Sequence, residues 1–147
     1  MTRYFVGIGS NEKAVQNCAA MIRAVCSTFQ SVCVSSVVRT PACGVDAPNY
    51  LNAVVSFEAS LSLSELHRWC KALEKQLGRT RNRKGVCEAD LDILEPGQVS
   101  EAFFQPLILQ VQAFLEGTVS TVNLETVALQ LDEQMRVGDA PCYFSQN

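Results

Sequence analysis

The chain has 147 residues, of which 48% are hydrophobic and 18% are charged, and its formal net charge is −3. This length favours one domain with a single core, and the acidic pI of about 5.1 argues against a nucleic-acid surface over the whole molecule, although it leaves room for a local basic patch. No apolar run approaches the ~20 residues of a membrane-spanning helix, and no signal-peptide core precedes the first polar turn. We expect a cytoplasmic monomer or weak dimer that binds neither nucleic acid nor membrane.

The first part of the chain predicts a strand, a helix and a second strand. Residues 3–9 form a β-rich run that ends in a Gly-Ser-Asn turn signal. From Glu12 to about Phe29, apolar residues recur at helical spacing. Residues 31–40 are rich in β-branched side chains and predict the second strand, which Pro41 ends.

The next part predicts two more strands with a helix between them. Residues 50–61 and 89–94 have strand character. Residues 62–78 open with a capping pattern from Ser62 to Glu65 and keep five apolar residues on one helical face: Leu66, Trp69, Cys70, Leu73 and Leu77. The resulting order, β-α-β-β-α-β, is that of the α+β ferredoxin-like fold, an antiparallel sheet with both helices on one face.

We therefore predict a single domain over residues 1–147, with its core at 3–95 and a short C-terminal helical extension at 96–147. The extension is expected to hold one or two helices, around 104–116 and 123–135. Seven cysteines occur, an odd number without any C-x-x-C spacing, and we interpret them as reduced thiols that serve as small apolar residues.

The fourth predicted strand contains two carboxylates, Asp90 and Asp92, separated by one residue. Residues two apart point to the same face of a sheet, so the two carboxylates would lie side by side while Leu91 and Ile93 fill the other face. Like charges at that distance repel, and if buried they share a proton or bind a cation between them.

The segment before this strand, GRTRNRKG at 78–85, is strongly basic. Guanidinium groups beside paired carboxylates suggest a polyphosphate that arginines grip and carboxylate-bound Mg²⁺ bridges. The alternative is that the segment is a solvated basic turn neutralised by nearby carboxylates, and that the aspartates are an ordinary exposed pair. The four cations are Arg79, Arg81, Arg83 and Lys84.

Five segments carry a resemblance to a known family. VGIGSN, VVRTPACG, PNYLNAVVSFE, LEKQLGR and ADLDIL occur in this order within residues 4–94. They resemble the 6-hydroxymethyl-7,8-dihydropterin pyrophosphokinases, folate-pathway enzymes that transfer diphosphate from ATP to a pterin alcohol. The resemblance implies the same ferredoxin-like fold, and small-molecule substrates in the form of ATP and the pterin.

The resemblance also implies roles for individual residues. Asp90 and Asp92 match two aspartates that hold two Mg²⁺ ions against the ATP phosphates, and Arg79 and Arg81 match cationic positions in the loop that closes over ATP. A flat, polar pterin ring needs an aromatic face and an amide. The other matches are Glu74 and Ile93 on the ATP side, and Thr40, Pro41, Cys43, Tyr50, Asn52 and the second stacking ring Phe103 on the pterin side.

The chain departs from the family pattern on the phosphate side. Lys84 and Cys87 stand where the family has tryptophan and arginine, and the histidine and arginine after the D-x-D strand have no counterpart. His67, the only histidine, lies in the second predicted helix and is interpreted as structural. Each lost charge-assisted contact costs about 1.5–3 kcal/mol. One alternative is therefore a paralogue with reduced or lost activity that serves as a pterin- or nucleotide-binding or regulatory module, and another is an unrelated ferredoxin-like metal-binding domain.

Overall fold

The computed structural model describes residues 1–42, 47–80, 85–99 and 101–145. Its elements confirm the predicted order of strands and helices up to residue 94, with the second predicted strand divided in two. In chain order they are β1 (Thr2–Ser10), α1 (Ala14–Thr28), β2 (Gln30–Val34), β3 (Val38–Thr40), β4 (Tyr50–Ala59), α2 (Leu63–Gln76), β5 (Asp90–Leu94), α3 (Phe104–Leu115), β6 (Leu129–Gln130), β7 (Arg136–Val137) and β8 (Cys142–Phe144).

The main sheet has six antiparallel strands in the order β5-β1-β4-β2-β8, and β3 also pairs with β4. β5 lies at one edge of this sheet and pairs with β1, which sets Gly9 opposite Asp90 and Gly7 opposite Asp92. On its other side β1 pairs with β4, and there Gly9 is opposite Asn52. The glycine-rich end of β1 therefore lies between the two aspartates and the asparagine.

Helices α1 and α2 cover one face of the sheet and form the main core with it, as the ferredoxin-like prediction requires. The predicted capping box begins α2, because Ser62 N–H donates to Glu65 Oε1 at 3.0 Å and Glu65 N–H donates to Ser62 Oγ at 3.2 Å. The largest fully buried side chains of this core include Ile8, Met21, Ile22, Leu51, Phe57 and Leu66.

Helix α3 packs on the opposite face of the sheet. Its apolar residues form a second, smaller core with inward side chains of β2, β3 and β4. Gln110 fastens the helix to the sheet, because its side chain accepts from Ser36 N–H at 2.8 Å and donates to Ser36 Oγ at 2.9 Å. The members of this core are Cys33, Val38, Val54, Phe104, Leu107, Ile108 and Val111.

The break between β2 and β3 reverses which face their side chains occupy. From Val34 to Val38 the chain advances four residues, while the partner strand advances three, from Val55 to Asn52. This additional residue, typical of a β-bulge, leaves Val34 in the main core but turns Val38 to the α3 face. Thr40 follows Val38 by two residues and shares its face.

The predicted helix at 123–135 is wrong. The segment instead contains β6, which pairs with β7 in a separate two-stranded sheet, and β8 later joins the main sheet beside β2. Leu129 and Leu131, two residues apart, are both buried in the main core, a spacing that suits an extended chain. Tertiary burial has overridden the helical propensity of this glutamate- and leucine-rich segment. In the part of the chain described, no helix is long and apolar enough to cross a membrane.

Candidate active site

A small cavity of about 180 Å³ lies on the α3 face of the sheet, where β3, β4 and β5 meet the start of α3. It unites the aspartates of β5 with several positions predicted for pterin binding. The cavity is lined by Thr40, Pro41, Tyr50, Asn52, Asp90, Asp92, Glu101, Phe103 and Phe104.

Two glycines of β1 create the room for this site. A Cβ at Gly9 would lie 2.5 Å from Asn52 Oδ1, and one at Gly7 would lie 2.6 Å from Cζ of Phe104. Both positions must therefore lack a side chain for the amide and the ring to lie where they do. The alternating glycines of VGIGSN are the sequence signal of this close approach.

Asn52 is held in one orientation at the base of the cavity. Only 4% of it is exposed, and its Nδ2 donates to Thr40 Oγ1 at 2.6 Å. The bulge before β3 is what brings Thr40 to this face. The fixed amide is suited to recognising a flat ligand with donor and acceptor edges.

Two aromatic side chains line the same cavity. Tyr50, at the start of β4, is half-buried, and burial raises the pKa of its phenol, with a smaller contribution from the neighbouring Cys87 thiol. Phe103 precedes α3 and contacts Phe104, with ring centroids 4.6 Å apart and planes tilted by 54°. Phe104 is buried over Gly7 and so supports the half-buried Phe103 ring.

The two aspartates are adjacent but not equivalent. Burial, the neighbouring charge of Asp90 and a hydrogen bond to it raise the pKa of Asp92 to about 7. Asp90 accepts a hydrogen bond from Arg79 Nη1 at 2.8 Å. The pair therefore has one carboxylate neutralised by an arginine and one that holds a proton near neutral pH.

Arg79 is fixed between the cavity and helix α2. Its Nη1 lies 3.0 Å from Glu74 Oε2 and donates to Ala89 O at 3.2 Å. Glu74 is only 3% exposed, and its Oε2 also accepts from Leu91 N–H at 2.8 Å. Glu74 does not line the cavity; it holds Arg79 and the free edge of β5 in place.

Other predicted site residues lie elsewhere. Ile93 is on the opposite face of β5 and packs against the main core, where it lines a separate open groove of about 1110 Å³. Cys43, Arg81 and Lys84 lie outside the described residues. His67 is exposed on α2 and lines the same open groove, and its interpretation as structural stays a prediction.

The six cysteines in the described part of the chain form no disulfide bond with one another. Burial raises the pKa of Cys18 and of Cys70 to about 12, so these thiols stay protonated at neutral pH. This agrees with their interpretation as small apolar residues.

The donor set suits a magnesium ion that is shared with a substrate. Within the described ranges, no group of three or more His, Cys, Asp and Glu residues forms a ready-made metal cage. Mg²⁺ typically binds through one or two carboxylates together with water and substrate phosphates. Asp90 and Asp92, side by side at the wall of a cavity, fit that mode.

Three residues of this region were not predicted from the sequence. Phe104 forms the floor beneath Phe103, and Glu101 lines the cavity and contributes to the raised pKa of Asp92. Asn11 does not line the cavity, and its side chain hydrogen-bonds to backbone groups of Pro48, Gly85 and Cys87. For Asn11 a signal exists in its place directly after the glycine-rich strand end, but helical and strand periodicity say nothing about Phe104 or Glu101.

Two comparisons with known proteins show the family of this chain. The sequence profile of the 7,8-dihydro-6-hydroxymethylpterin-pyrophosphokinase family matches residues 5–129. The chain is 36% identical over 138 residues to the 2-amino-4-hydroxy-6-hydroxymethyldihydropteridine pyrophosphokinase of Methylorubrum extorquens. The matched region covers 89% of this chain and 85% of that protein. The match includes the strands that form the cavity and helix α3. The chain therefore belongs to the 7,8-dihydro-6-hydroxymethylpterin-pyrophosphokinase family.

Proposed function

We propose that this chain transfers diphosphate from ATP to 6-hydroxymethyl-7,8-dihydropterin in the cavity between β3, β4, β5 and α3. The observation that supports the proposal most directly is the cavity lining: an amide, two aromatic rings and two adjacent carboxylates, from strands β4 and β5 and the residue before α3, surround one small space. These are the groups that a pterin and a metal-bound polyphosphate need.

The pterin is proposed to lie between Tyr50 and Phe103, with its polar edge against Asn52. Thr40 holds the Asn52 amide in place through the 2.6 Å hydrogen bond, so the ring is read by a group that is oriented before binding. Pro41 lines the same wall, and the backbone near Cys43 is proposed to complete the pterin side.

The phosphates are proposed to lie beside Arg79 and the aspartates, with Arg81 as a second cation. Asp90 and Asp92 would hold two Mg²⁺ ions, which, when bound, offset the negative charge of the ATP phosphates. Arg79 contributes a guanidinium held by Glu74 on its far side. Ile93 is proposed on the nucleotide side, because it is half-buried and directly follows Asp92 in the edge strand β5.

In the proposed reaction the hydroxymethyl oxygen of the pterin forms a bond to the β-phosphorus of ATP, and its hydroxyl proton passes to solvent. The bond between that phosphorus and the oxygen bridging to the α-phosphate breaks, and AMP leaves with this oxygen. The residues contribute by position and charge: the rings and Asn52 orient the nucleophile, and Arg79 stabilises the phosphate oxygens.

A second candidate is a pterin-binding module that does not transfer diphosphate. It is favoured by Cys87, which stands at a position where the family has an arginine and whose thiol is instead buried against Tyr50. Under this alternative the pterin still binds, and nucleotide turnover is lost. We propose for either case one domain that works in the cytoplasm as a monomer or weak dimer.

The test is a coupled assay of AMP release with purified protein, the pterin alcohol, ATP and Mg²⁺. We expect release that requires all three small molecules and that falls by at least about 100-fold in Asp92→Asn. Asp139→Asn, an exposed carboxylate paired with Arg136, is the matched control and should keep full activity. No AMP release by the parent protein, together with clear pterin binding in calorimetry, would favour the second candidate.

A further inference from the structure

Asn11 connects two segments that are distant in the chain. It directly follows β1, and only 4% of it is exposed. Its Nδ2 donates to Gly85 O at 2.7 Å and to Pro48 O at 3.3 Å, while its Oδ1 accepts from Cys87 N–H at 2.7 Å. Its own backbone N–H donates to Cys87 O at 3.0 Å.

The two connected segments belong to different halves of the proposed site. Pro48 precedes Tyr50 by two residues and so belongs to the chain that delivers the pterin side. Gly85 and Cys87 lie between Arg79 and Asp90, and so belong to the phosphate side. Asn11 is not among the residues that line the cavity, and it contacts these segments only through their backbones.

The Asn11 side chain makes its hydrogen bonds to both segments only when the two segments are correctly placed relative to each other. Its side chain is buried, and its donor and acceptor groups are all engaged by backbone atoms of Pro48, Gly85 and Cys87. A displacement of either segment would leave part of the buried Asn11 amide without a partner, which is costly. The arrangement of one segment therefore favours one arrangement of the other.

We propose that Asn11 is a positioning residue that couples pterin binding to nucleotide binding. This inference rests on the proposed function, because it assumes a pterin on the side of Pro48 and a nucleotide on the side of Gly85. Each ligand orders its own segment, and Asn11 transmits that order to the other. By linkage, the factor by which the nucleotide tightens pterin binding equals the factor by which the pterin tightens nucleotide binding.

The test is calorimetric titration in both orders, with 6-hydroxymethylpterin and with α,β-methylene-ATP plus Mg²⁺, a pair that cannot react. In the parent protein we expect each ligand to increase the binding affinity for the other by about 5- to 100-fold. In Asn11→Ala this factor should fall to about 1. Asn11→Asp keeps the acceptor for Cys87 N–H but loses both Nδ2 donors, and should lose the coupling as well.

Two control variants separate coupling from general damage. Asn17→Ala removes the 2.6 Å hydrogen bond from Asn17 Nδ2 to Glu12 O in the same turn, without touching either segment, and should keep the parent's factor. Cys87→Ala removes the thiol next to Tyr50 but keeps the backbone that Asn11 binds, so this variant should also keep the parent's coupling factor. Amide hydrogen exchange in the parent adds a measurement that needs no variant: the pterin alone should slow exchange at Cys87 N–H.

The outcomes are distinguishable. If the parent binds neither ligand, the proposed function fails and this proposal with it. Three results would each overturn the role of Asn11 while leaving the proposed function intact. The parent binds both ligands but neither changes the affinity for the other, Asn11→Ala keeps the parent's coupling factor, or the pterin does not slow amide exchange at Cys87 N–H.

Discussion

Replacing Asp92 by Asn should stabilise the metal-free protein. The pKa of Asp92 is raised from its ordinary value of 3.8 to about 7, first by burial and then by Asp90. A carboxyl with a raised pKa in the folded state binds its proton more tightly there than in the unfolded chain, so folding becomes less favourable as that proton is lost. An asparagine at this position has no proton to lose.

The size of the effect follows from the two pKa values. The interval from 3.8 to about 7 corresponds to at most ~4 kcal/mol at 1.36 kcal/mol per pH unit. Because Asp92 is only half-buried, solvent screening reduces this to about 1–2 kcal/mol. For a chain of this length that is a rise in melting temperature of about 2–8 °C.

The pH dependence of stability shows in which pH range Asp92→Asn is more stable than the parent. Below pH 3.8 both folded and unfolded states carry the proton, and the variant should gain nothing. The parent loses stability relative to Asp92→Asn as the pH rises from 3.8 to about 7, and the full difference is present above pH 7. We expect about a third of the full gain at pH 5.

The assay is a series of melting curves from pH 4 to pH 8 in a chelator, for the parent, Asp92→Asn and Asp90→Asn. Asp90→Asn relieves the same repulsion but loses the 2.8 Å contact from Arg79, so its net change should be near zero. Addition of Mg²⁺ and ATP should then raise the melting temperature of the parent but not of Asp92→Asn. An Asp92→Asn protein that melts earlier than the parent at pH 8 would refute the reasoning and mean that the carboxylate is satisfied by the structure itself.

Three further outcomes are expected. Gly9→Ala places a Cβ 2.5 Å from Asn52 Oδ1, so calorimetry should show pterin binding weakened by at least about 10-fold with nucleotide binding unchanged; unchanged pterin affinity would contradict the proposed position of the amide. Arg79→Gln removes one of the two cations that contact buried Glu74, the other being Lys71, and should lower the free energy of unfolding by about 1–3 kcal/mol in denaturant titration; a neutral effect would show that Lys71 alone satisfies Glu74. Cys18, whose pKa is about 12, should resist alkylation at pH 8 in the native protein and react only after unfolding; rapid native labelling at this position, measured by peptide mass, would show that the core opens readily.

Part of the site follows directly from the sequence. The one-residue spacing between Asp90 and Asp92 places both on one face of β5, opposite Leu91 and Ile93, because strand side chains alternate. The PNYLN segment begins β4 as predicted, so Tyr50 and Asn52 share a face as well. The two pairs meet because β1 lies between β4 and β5, an order that the ferredoxin-like pattern implies.

What the sequence by itself determined was local: the alternation of β1, β4 and β5, the capping box of α2, the helical stripe of α1 and the pairing of the aspartates. These depend on residues a few positions apart, where propensity and periodicity act. Only the tertiary structure decided the rest. The bulge before β3 turns Thr40 towards Asn52. The segment at 123–135 contains strand β6 instead of a helix, with Leu129 and Leu131 buried, and Asn11 connects backbones far apart in the chain. These outcomes depend on which distant groups need partners in the folded core, a condition that no short stretch of sequence contains.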